Sequence, residues 1–292
     1  MDHMGNSILA DSLRGWEPGT VTLTRRVDPW PAEAFAALIG TEAPPLREGD
    51  PLPPMWHWFT LLEHPATSEI GADGHPADGP FLPPVPGRRR MFAGGRLRLG
   101  APIGVGSELS SQSRVTSVKV KTGRTGELAF VTVRHELAVD GVPAGAEEQD
   151  LVYRGEPLAS PPSAGRPGGG GPEPAGDWRL EIGTGPVLLF RFSALTYNGH
   201  RIHYDRDYAT VVEGYPDLVI HGPLLALLAL ELPRLHAPDQ TVAAFEYRLA
   251  RPAFAPARIV SAASPPGGGN TVRAVVAAAG AEPSLTATIT LA

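Results

Sequence analysis

Three polar side chains, Asn198, His200 and His203, lie within six positions of one another in the C-terminal half of the sequence, and the two imidazoles are suited to acid–base chemistry. They follow an apolar run at residues 187–193, which we predict to be a strand whose end opens onto a cleft. An imidazole has an unperturbed pKa of about 6.5, so His203 is the predicted general acid/base. An amide takes up no proton, and we therefore expect Asn198 to hold water or a hydroxyl group. His200 either helps to bind the substrate or faces solvent.

A predicted helix begins shortly after this cluster. His221, Gly222 and Pro223 precede the most apolar segment of the chain, residues 224–232. Proline is favoured at the first helical position, so we expect the helix to start here, with free N–H groups at its end. The N–H of Gly222 is the predicted oxyanion donor, because a side chain there would obstruct a carbonyl group. His221 is either a cap of this helix or a supporting residue of the site.

The motifs at residues 196–203 and 221–224 resemble those of the MaoC-like hydratases and dehydratases, a family with the hotdog fold. In the (R)-specific enoyl-CoA hydratases of this family a catalytic Asp precedes the catalytic His; aligned on His203, this chain has Asn198 in its place. The pattern looks closer to the branch of mesaconyl-CoA or itaconyl-CoA hydratases and hydroxyacyl-thioester dehydratases, where Asn is usual at that position. The resemblance extends to residues 56–58, 73–75, 81–84 and 90–95.

The resemblance implies a reversible hydro-lyase that acts on an acyl thioester of coenzyme A or of an acyl carrier protein. In the dehydration direction His203 takes the α-proton, the Gly222 amide stabilises the enolate-like oxygen, and Asn198 positions the departing hydroxyl. A mesaconyl-like branched or dicarboxylic acyl group is a candidate substrate, and no metal or redox cofactor is implied. Two alternatives remain: a non-catalytic acyl-thioester-binding protein that lost the Asp, and a hotdog thioesterase, which Asn198 disfavours.

The order of predicted elements favours an α+β protein with two similar halves. Asp28, Pro29 and Gly40 predict a short helix in the first half, and strands follow it, as strands follow the apolar helix of the second half. Together with the resemblance this predicts a double hotdog, in which two curled antiparallel sheets each wrap around a central helix. The expected units are an N-terminal hotdog at residues 8–155, a Pro/Gly-rich linker at 156–176 and a C-terminal hotdog carrying the catalytic motif at 177–292.

A run of three arginines forms the densest positive cluster of the chain. Arg88, Arg89 and Arg90 lie in a protein whose formal net charge is −6. Guanidinium groups bind phosphates well, so we predict that this run meets the phosphates of coenzyme A or of phosphopantetheine. A solvated surface run is the alternative.

The composition and motifs of the sequence disfavour several other classes of protein. The negative net charge disfavours nucleic-acid binding, which requires a positively charged surface. The most apolar segment, residues 224–232, is too short to span a membrane. The chain has no Cys, which removes disulfides and thiol chemistry and fits a cytoplasmic protein; a homo-oligomer is among the expected states. A metal site at His203, Asp205 and Asp207 is disfavoured by the intervening Arg206, and a serine hydrolase by the absence of a Gly-x-Ser-x-Gly motif.

Overall fold

Antiparallel strands account for most of the regular structure. The computed structural model describes residues 8–79, 81–85, 89–123, 126–154 and 171–292. The strands are β1 (Val21–Arg26), β2 (Arg89–Leu99), β3 (Glu108–Gly123), β4 (Gly126–Val139), β5 (Val142–Arg154), β6 (Trp178–Thr184), β7 (Val242–Leu249), β8 (Ala257–Ala263), β9 (Thr271–Ala278) and β10 (Leu285–Leu291). The α-helices are α1 (Ile8–Ser12), α2 (Pro29–Ile39), α3 (Pro186–Leu195) and α4 (Gly222–His236). Short 3-10 helices lie at Trp56–Phe59, Thr67–Glu69 and Arg201–His203, and a π-helix at Tyr208–Val212.

The two halves of the chain share one continuous sheet. Its strand order is β1-β3-β4-β5-β2-β7-β10-β9-β8-β6, so the first five positions come from the N-terminal half and the last five from the C-terminal half. The halves join where β2 pairs antiparallel with β7, with Leu97 opposite Phe245. Edge-to-edge joining leaves a cleft between the halves on one face of the sheet, as the double hotdog prediction requires. That prediction is confirmed.

The central helix of the C-terminal half is α4. Pro223 lies in its first turn, and residues 224–233 are all buried, as expected for a helix that is apolar on nearly every side. It packs against β6, β8, β9 and β10. One charged side chain is buried with it: Glu231 accepts hydrogen bonds from Arg234 at 2.5 Å and from Trp56 Nε1 at 3.2 Å. The helix start that the sequence predicted at Gly222 is confirmed.

Helix α2 of the N-terminal half does not pack on the sheet in the way that α4 does. The Asp28 side chain caps α2 by accepting from Trp30 N at 2.8 Å, and Gly40 ends the helix with a left-handed φ of 73°. The helix packs on α3 and on the 3-10 helix Trp56–Phe59, through Phe35. Between α2 and β2, the described residues contain only 3-10 helices, whereas the second half has α4 at the corresponding point of its order. Space is therefore available over the sheet of the first half.

One predicted strand is wrong. Residues 187–193 lie in helix α3, which begins with Pro186, and the strand of this region is β6 before it. The buried side chains Leu189, Phe192 and Ser193 recur at helical spacing, while Val187 and Phe190 are exposed. A short apolar run does not by itself distinguish a buried strand from a helix.

The predicted domain boundaries stay a prediction. Most of the expected linker at 156–176 lies outside the described residues, which resume at residue 171. Within the described ranges, no helix combines the length and apolar character that a membrane crossing needs.

Candidate active site

A cavity of about 1190 Å³ brings most of the predicted site residues together. It is lined by Asn198, His200, His203 and Gly222 from the C-terminal half, and by side chains of β2, β4, β5 and the 3-10 helix Trp56–Phe59 from the N-terminal half. Arg89 and Arg90 also line it, while Arg88 lies outside the described residues. His221 lies behind the wall and is fully buried.

His203 is held with one ring nitrogen available for chemistry. It ends the 3-10 helix Arg201–His203, which Val219 N fixes by donating to the Ile202 carbonyl at 2.9 Å. The Nδ1 atom of His203 lies 2.7 Å from the carbonyl oxygen of Val219. A carbonyl only accepts hydrogen bonds, so Nδ1 carries the proton and Nε2 keeps its lone pair.

The environment of His203 favours the neutral ring. Burial lowers its pKa from the ordinary 6.5 to about 4, against the hydrogen bond to Val219, which raises it. A neutral imidazole with a free Nε2 is a base at neutral pH. The structure thus gives the residue predicted as the acid/base a suitable form.

His221 supports the ring of His203. The two rings are stacked, with centroids 3.6 Å apart. His221 Nε2 lies 2.9 Å from Ser193 Oγ on α3, and burial lowers its pKa well below the ordinary value. Its side chain makes no capping hydrogen bond to α4, although it occupies the position before the helix. Of the two sequence-based interpretations, the supporting one fits the contacts.

Gly222 gives the cavity access to the start of α4. As the first helical residue it has an N–H without an intrahelical acceptor. A Cβ atom at this position would lie 2.8 Å from Leu249 Cδ1 and 3.6 Å from Phe92 Cδ1. A side chain here would therefore fill the space through which a ligand oxygen reaches the helix end.

Asn198 and His200 form a tight turn. Asn198 Oδ1 accepts a hydrogen bond from His200 N at 3.0 Å, so part of the amide's capacity serves the turn. His200 is buried, and the solvent-facing interpretation of this residue is wrong. Burial, and then the charges of His75 and His203, lower the pKa of His200 far below its ordinary value.

A carboxylate–imidazole pair from the N-terminal half completes the cluster. His75 Nδ1 lies 2.9 Å from Asp73 Oδ2, and the ring of His75 lies 3.9 Å from that of His200. Burial raises the pKa of Asp73, but hydrogen bonds from His75 outweigh it and the pKa is lowered. In the sequence, residues 73–75 were part of the family resemblance, but no role in the site was predicted for them.

Backbone contacts fix this pair against the turn that contains Asn198 and His200. Arg201 N donates to the carbonyl of Asp73 at 2.9 Å. A Cβ on Gly74 would overlap the carbonyl oxygen of Gly199, so the loop approaches the turn as closely as two glycines allow. Residues more than 120 positions apart therefore meet in one rigid contact.

The possible metal ligands are not those considered from the sequence. Asp205 accepts two hydrogen bonds from Arg201, at 3.0 and 2.7 Å. In the described residues a different set, Asp73, His75 and His200, offers ligand atoms within 4.8 Å of one another. The positive charge of Arg90 acts on both Asp73 and His200, which disfavours a cation there.

The arginines differ in their surroundings. Arg89 forms an ion pair with Glu213 at 2.9 Å, and Arg90 lies close enough to Asp73 to lower the pKa of that carboxyl group. Arg96 is held on the sheet by Glu148 and Asp150. Arg89 and Arg90 line the cavity, and phosphate binding by the run Arg88–Arg90 stays a prediction.

Comparison with known proteins assigns the family. The family model described as hydroxyacyl-thioester dehydratase type 2 matches residues 55–255, which contain every described residue of the cluster. The mesaconyl-C(4)-CoA hydratase of Chloroflexus aurantiacus is 43% identical over 238 residues, covering 79% of this chain and 82% of that protein. The chain belongs to the hydroxyacyl-thioester dehydratase type 2 family.

Solved structures agree with this family's fold. A MaoC-like dehydratase from Phytophthora capsici superposes with a TM-score of 0.64 at 14% identity, covering 97% of this chain and 98% of that one. A Mycobacterium tuberculosis protein described as a double hotdog gives 0.53 at 16% identity, covering 94% and 96%. At these identities the likeness concerns the fold, and it matches the joined sheet of this type 2 dehydratase family member.

Proposed function

We propose that this protein is a hydro-lyase that reversibly converts a 3-hydroxyacyl thioester into the 2-enoyl thioester and water. The observation that carries this is the neutral His203, with Nε2 available, in the same cavity as the free N–H of Gly222 at the start of α4. Removal of the α-proton of a thioester requires a base that reaches the α-carbon and a hydrogen-bond donor that reaches the carbonyl oxygen. The relatives' names, a hydratase and a dehydratase, support the same chemistry.

In dehydration, His203 Nε2 takes the proton from C2 of the acyl group. The electron pair of that C–H bond moves toward the thioester carbonyl, whose oxygen gains negative charge and is stabilised by the Gly222 N–H. When the pair returns, the C2–C3 double bond forms and the C3–O bond breaks. The leaving hydroxide must gain a proton to depart as water, and hydration runs through the same steps in reverse.

The structure offers a source for that second proton. Asn198 carries no transferable proton, and we assign it the positioning of the hydroxyl. His75 Nδ1 lies 2.9 Å from Asp73 Oδ2, and the His75 ring contacts the His200 ring with centroids 3.9 Å apart and planes inclined by 37°; both rings line the cavity. A carboxylate on Nδ1 stabilises a protonated ring, so we assign His75 the delivery of the proton to the leaving oxygen. The Asp73–His75 pair then supplies the proton that the Asp of the family motif, absent from this chain, would supply.

The acyl group is proposed to be short, branched or dicarboxylic, and carried by coenzyme A. A relative that spans 79% of this chain is a mesaconyl-C(4)-CoA hydratase, which supports this choice. Arg89 and Arg90 lie at the cavity wall, where they are suited to phosphate binding. An acyl carrier protein as donor, a cytoplasmic location and a homo-oligomeric state stay predictions of the sequence.

One assay tests the proposal. Purified protein is incubated with crotonyl-, mesaconyl- and itaconyl-CoA, and the products are followed by mass spectrometry. Gain of one water with retention of the CoA ester is the expected result. Release of free CoA would instead identify a thioesterase.

A second candidate function is binding without turnover. It rests on Asn198, which cannot transfer a proton and stands where the (R)-specific enoyl-CoA hydratases have Asp. Thioester binding without any gain of water, unchanged by replacement of His203, would support this alternative over the enzyme.

A further inference from the structure

The 3-10 helix Trp56–Phe59 divides its aromatic side chains between the core and the cavity. Trp56 and Phe59 are buried and pack against Phe35 of α2. Trp58, on the same turn, lines the cavity and is only partly buried. Trp58 therefore presents part of its ring to a ligand that occupies the cavity.

The indole of Trp58 is held by a buried carboxylate. Its Nε1 donates to the two oxygens of Glu147 at 2.8 and 3.0 Å. Gln149 Nε2 donates to the same carboxylate at 2.7 Å, and His57 Nε2 lies 2.8 Å from it. Burial raises the pKa of Glu147, but the hydrogen bond and charge of His57, with lesser contributions, lower it to about 2. An ionised carboxylate only accepts hydrogen bonds, so it holds the indole N–H in one direction.

The same indole contacts the wall beside the predicted oxyanion donor. The Trp58 ring stands edge-to-face on the Phe92 ring, with centroids 6.1 Å apart and planes at 87°. Phe92 Cδ1 lies 3.6 Å from the point that a Cβ on Gly222 would occupy. Both aromatic side chains line the cavity. An acyl group whose carbonyl oxygen reaches the Gly222 N–H therefore has Phe92 beside it, with Trp58 next to Phe92.

The cavity wall becomes polar beyond Trp58. The strand order away from α4 is β7, β2, β5, β4 and β3, so Glu147 on β5 is followed by the two strands of the N-terminal edge. His135 on β4 lies opposite Glu147, and Ser113 on β3 lies opposite His135. All three line the cavity, and His135 Nδ1 is 2.7 Å from Ser113 Oγ. An alkyl chain that extended past the indole would cover these polar groups without offering a hydrogen bond, which costs free energy.

We propose that Trp58 limits the length of the acyl group, and that Glu147 is a positioning residue that holds the indole in place. The inference rests on the proposed function for the identity of the ligand as an acyl thioester. It adds to that function a residue that determines which acyl groups fit. A long alkyl chain has to displace the indole, which breaks the hydrogen bonds of its N–H to a charged acceptor.

The test measures binding without turnover. Calorimetry gives the dissociation constants of butyryl-, hexanoyl- and octanoyl-CoA, which have no double bond or β-hydroxyl and are therefore neither hydrated nor dehydrated. In a site that buries the whole chain, each added methylene tightens binding by about fourfold. The wild-type protein should show no such gain, so that octanoyl-CoA binds no more tightly than butyryl-CoA.

Replacing the indole should remove the limit. In Trp58→Ala, the ratio of the butyryl-CoA to the octanoyl-CoA dissociation constant should rise at least about tenfold above wild type, because the added methylenes enter the space of the ring. In Trp30→Ala, the control, the ratio should stay unchanged, since Trp30 is exposed and is not on the cavity wall. If Trp58→Ala fails to fold by circular dichroism, Trp58→Leu replaces it, and the ratio should rise at least about threefold.

The positioning role of Glu147 has its own readout. Glutamine offers one acceptor oxygen where the carboxylate offers two, so Glu147→Gln should loosen the indole and raise the same ratio, by less than Trp58→Ala. In the Trp58→Ala background the same change should have no further effect on the ratio, because the group that Glu147 positions is gone. If Glu147→Gln fails to fold, Trp58→Phe replaces it: this variant keeps a ring without an N–H, and the ratio should rise in part. An equal effect of Glu147→Gln in both backgrounds would contradict the positioning role.

Two outcomes overturn the inference about Trp58. One is a wild-type protein in which binding tightens with each added methylene from butyryl- to octanoyl-CoA. The other is a chain-length ratio that is the same in the wild-type protein and in Trp58→Ala. Absence of turnover on every enoyl-CoA, with a length limit that Trp58→Ala removes, would instead refute the hydro-lyase proposal and leave the role of Trp58 standing.

Discussion

The imidazole rings of His203 and His221 lie face to face, with centroids 3.6 Å apart and planes inclined by 18°. Two charged rings at this separation would repel strongly, and burial lowers the pKa of both. The stack is therefore a pair of neutral rings. It fixes the plane of His203 from one side while the Val219 carbonyl fixes its Nδ1.

Replacing His203 should remove the base. His203→Ala is expected to lower kcat for hydration of the enoyl thioester by about 10²- to 10⁴-fold, the range of general acid–base catalysis. Asn198→Ala should lower it less, because an amide orients the hydroxyl without transferring a proton. Circular dichroism of both variants controls for folding. A His203→Ala enzyme with nearly normal kcat would show that another group is the base.

The buried histidines should make the fold acid-sensitive. In the native state the pKa of His203 is about 4, below the ordinary 6.5 of the unfolded chain, so the unfolded state binds more protons between these values. Stability then rises with pH through this window, and about 3 kcal/mol is lost on going from pH 7 to pH 4. His200 and His221 act in the same direction.

Urea unfolding at a series of pH values checks this prediction. The free energy of unfolding should fall steadily below about pH 6.5, where an unperturbed histidine titrates. In His203→Gln the slope in this range should be smaller. A flat profile between pH 7 and 5 would contradict the burial of these rings as neutral groups.

Gly222→Ala should impair catalysis more than stability. The new Cβ would meet Leu249 Cδ1 at 2.8 Å, and it would stand beside the N–H proposed to stabilise the oxyanion. Loss of one such donor typically lowers kcat by about 10²- to 10³-fold. Gly183→Ala is the matched control, since a Cβ there meets nothing within 4 Å. Equal activity of the two variants would rule out the oxyanion role.

The Asp73–His75 pair should appear in the pH profile. If His75 delivers a proton, His75→Gln is expected to lower kcat by about 10²-fold or more. Asp73→Asn removes the carboxylate that stabilises the protonated ring, so activity should be lost at a lower pH on the alkaline side. Asp78→Asn, an exposed carboxylate of the same loop, serves as control. If the dependence of kcat on pH is unchanged in both His75→Gln and Asp73→Asn, the pair has only a structural role.

Replacing Arg89 or Arg90 should raise KM for a CoA thioester, whereas replacing a distant arginine should not. Arg89→Gln and Arg90→Gln are each expected to raise KM for a CoA thioester by about two- to fivefold and to weaken its dependence on salt. Arg90→Gln should also alter kcat, because its charge acts on Asp73. Arg273→Gln makes the same charge change on an exposed position of β9. If Arg89→Gln, Arg90→Gln and Arg273→Gln all have the same KM, Arg89 and Arg90 do not bind the CoA phosphates and only face solvent.

Local chemistry in the sequence determined several elements correctly. Asp28 and Gly40 bound α2, and Gly222 and Pro223 begin α4, because caps and a first-turn proline act on the backbone within a few residues. Strands were also predicted after the apolar helix of the second half, and β7 to β10 lie there. The motif around His203 predicted the part of the site that the C-terminal half contributes to the cavity, since these side chains lie close together in the chain.

Only the tertiary structure decided which groups meet. Residues 187–193 are helical because Leu189 and Phe192 find buried partners on one face, which a short apolar run cannot reveal. Asp73 and His75 reach His200 through a loop docked against residues 199–201, and His57 reaches Glu147 across 90 positions. Such contacts depend on how the sheet joins at β2 and β7 and on the space left over its first half. Their energies come from burial and long-range hydrogen bonds, which no local sequence pattern encodes.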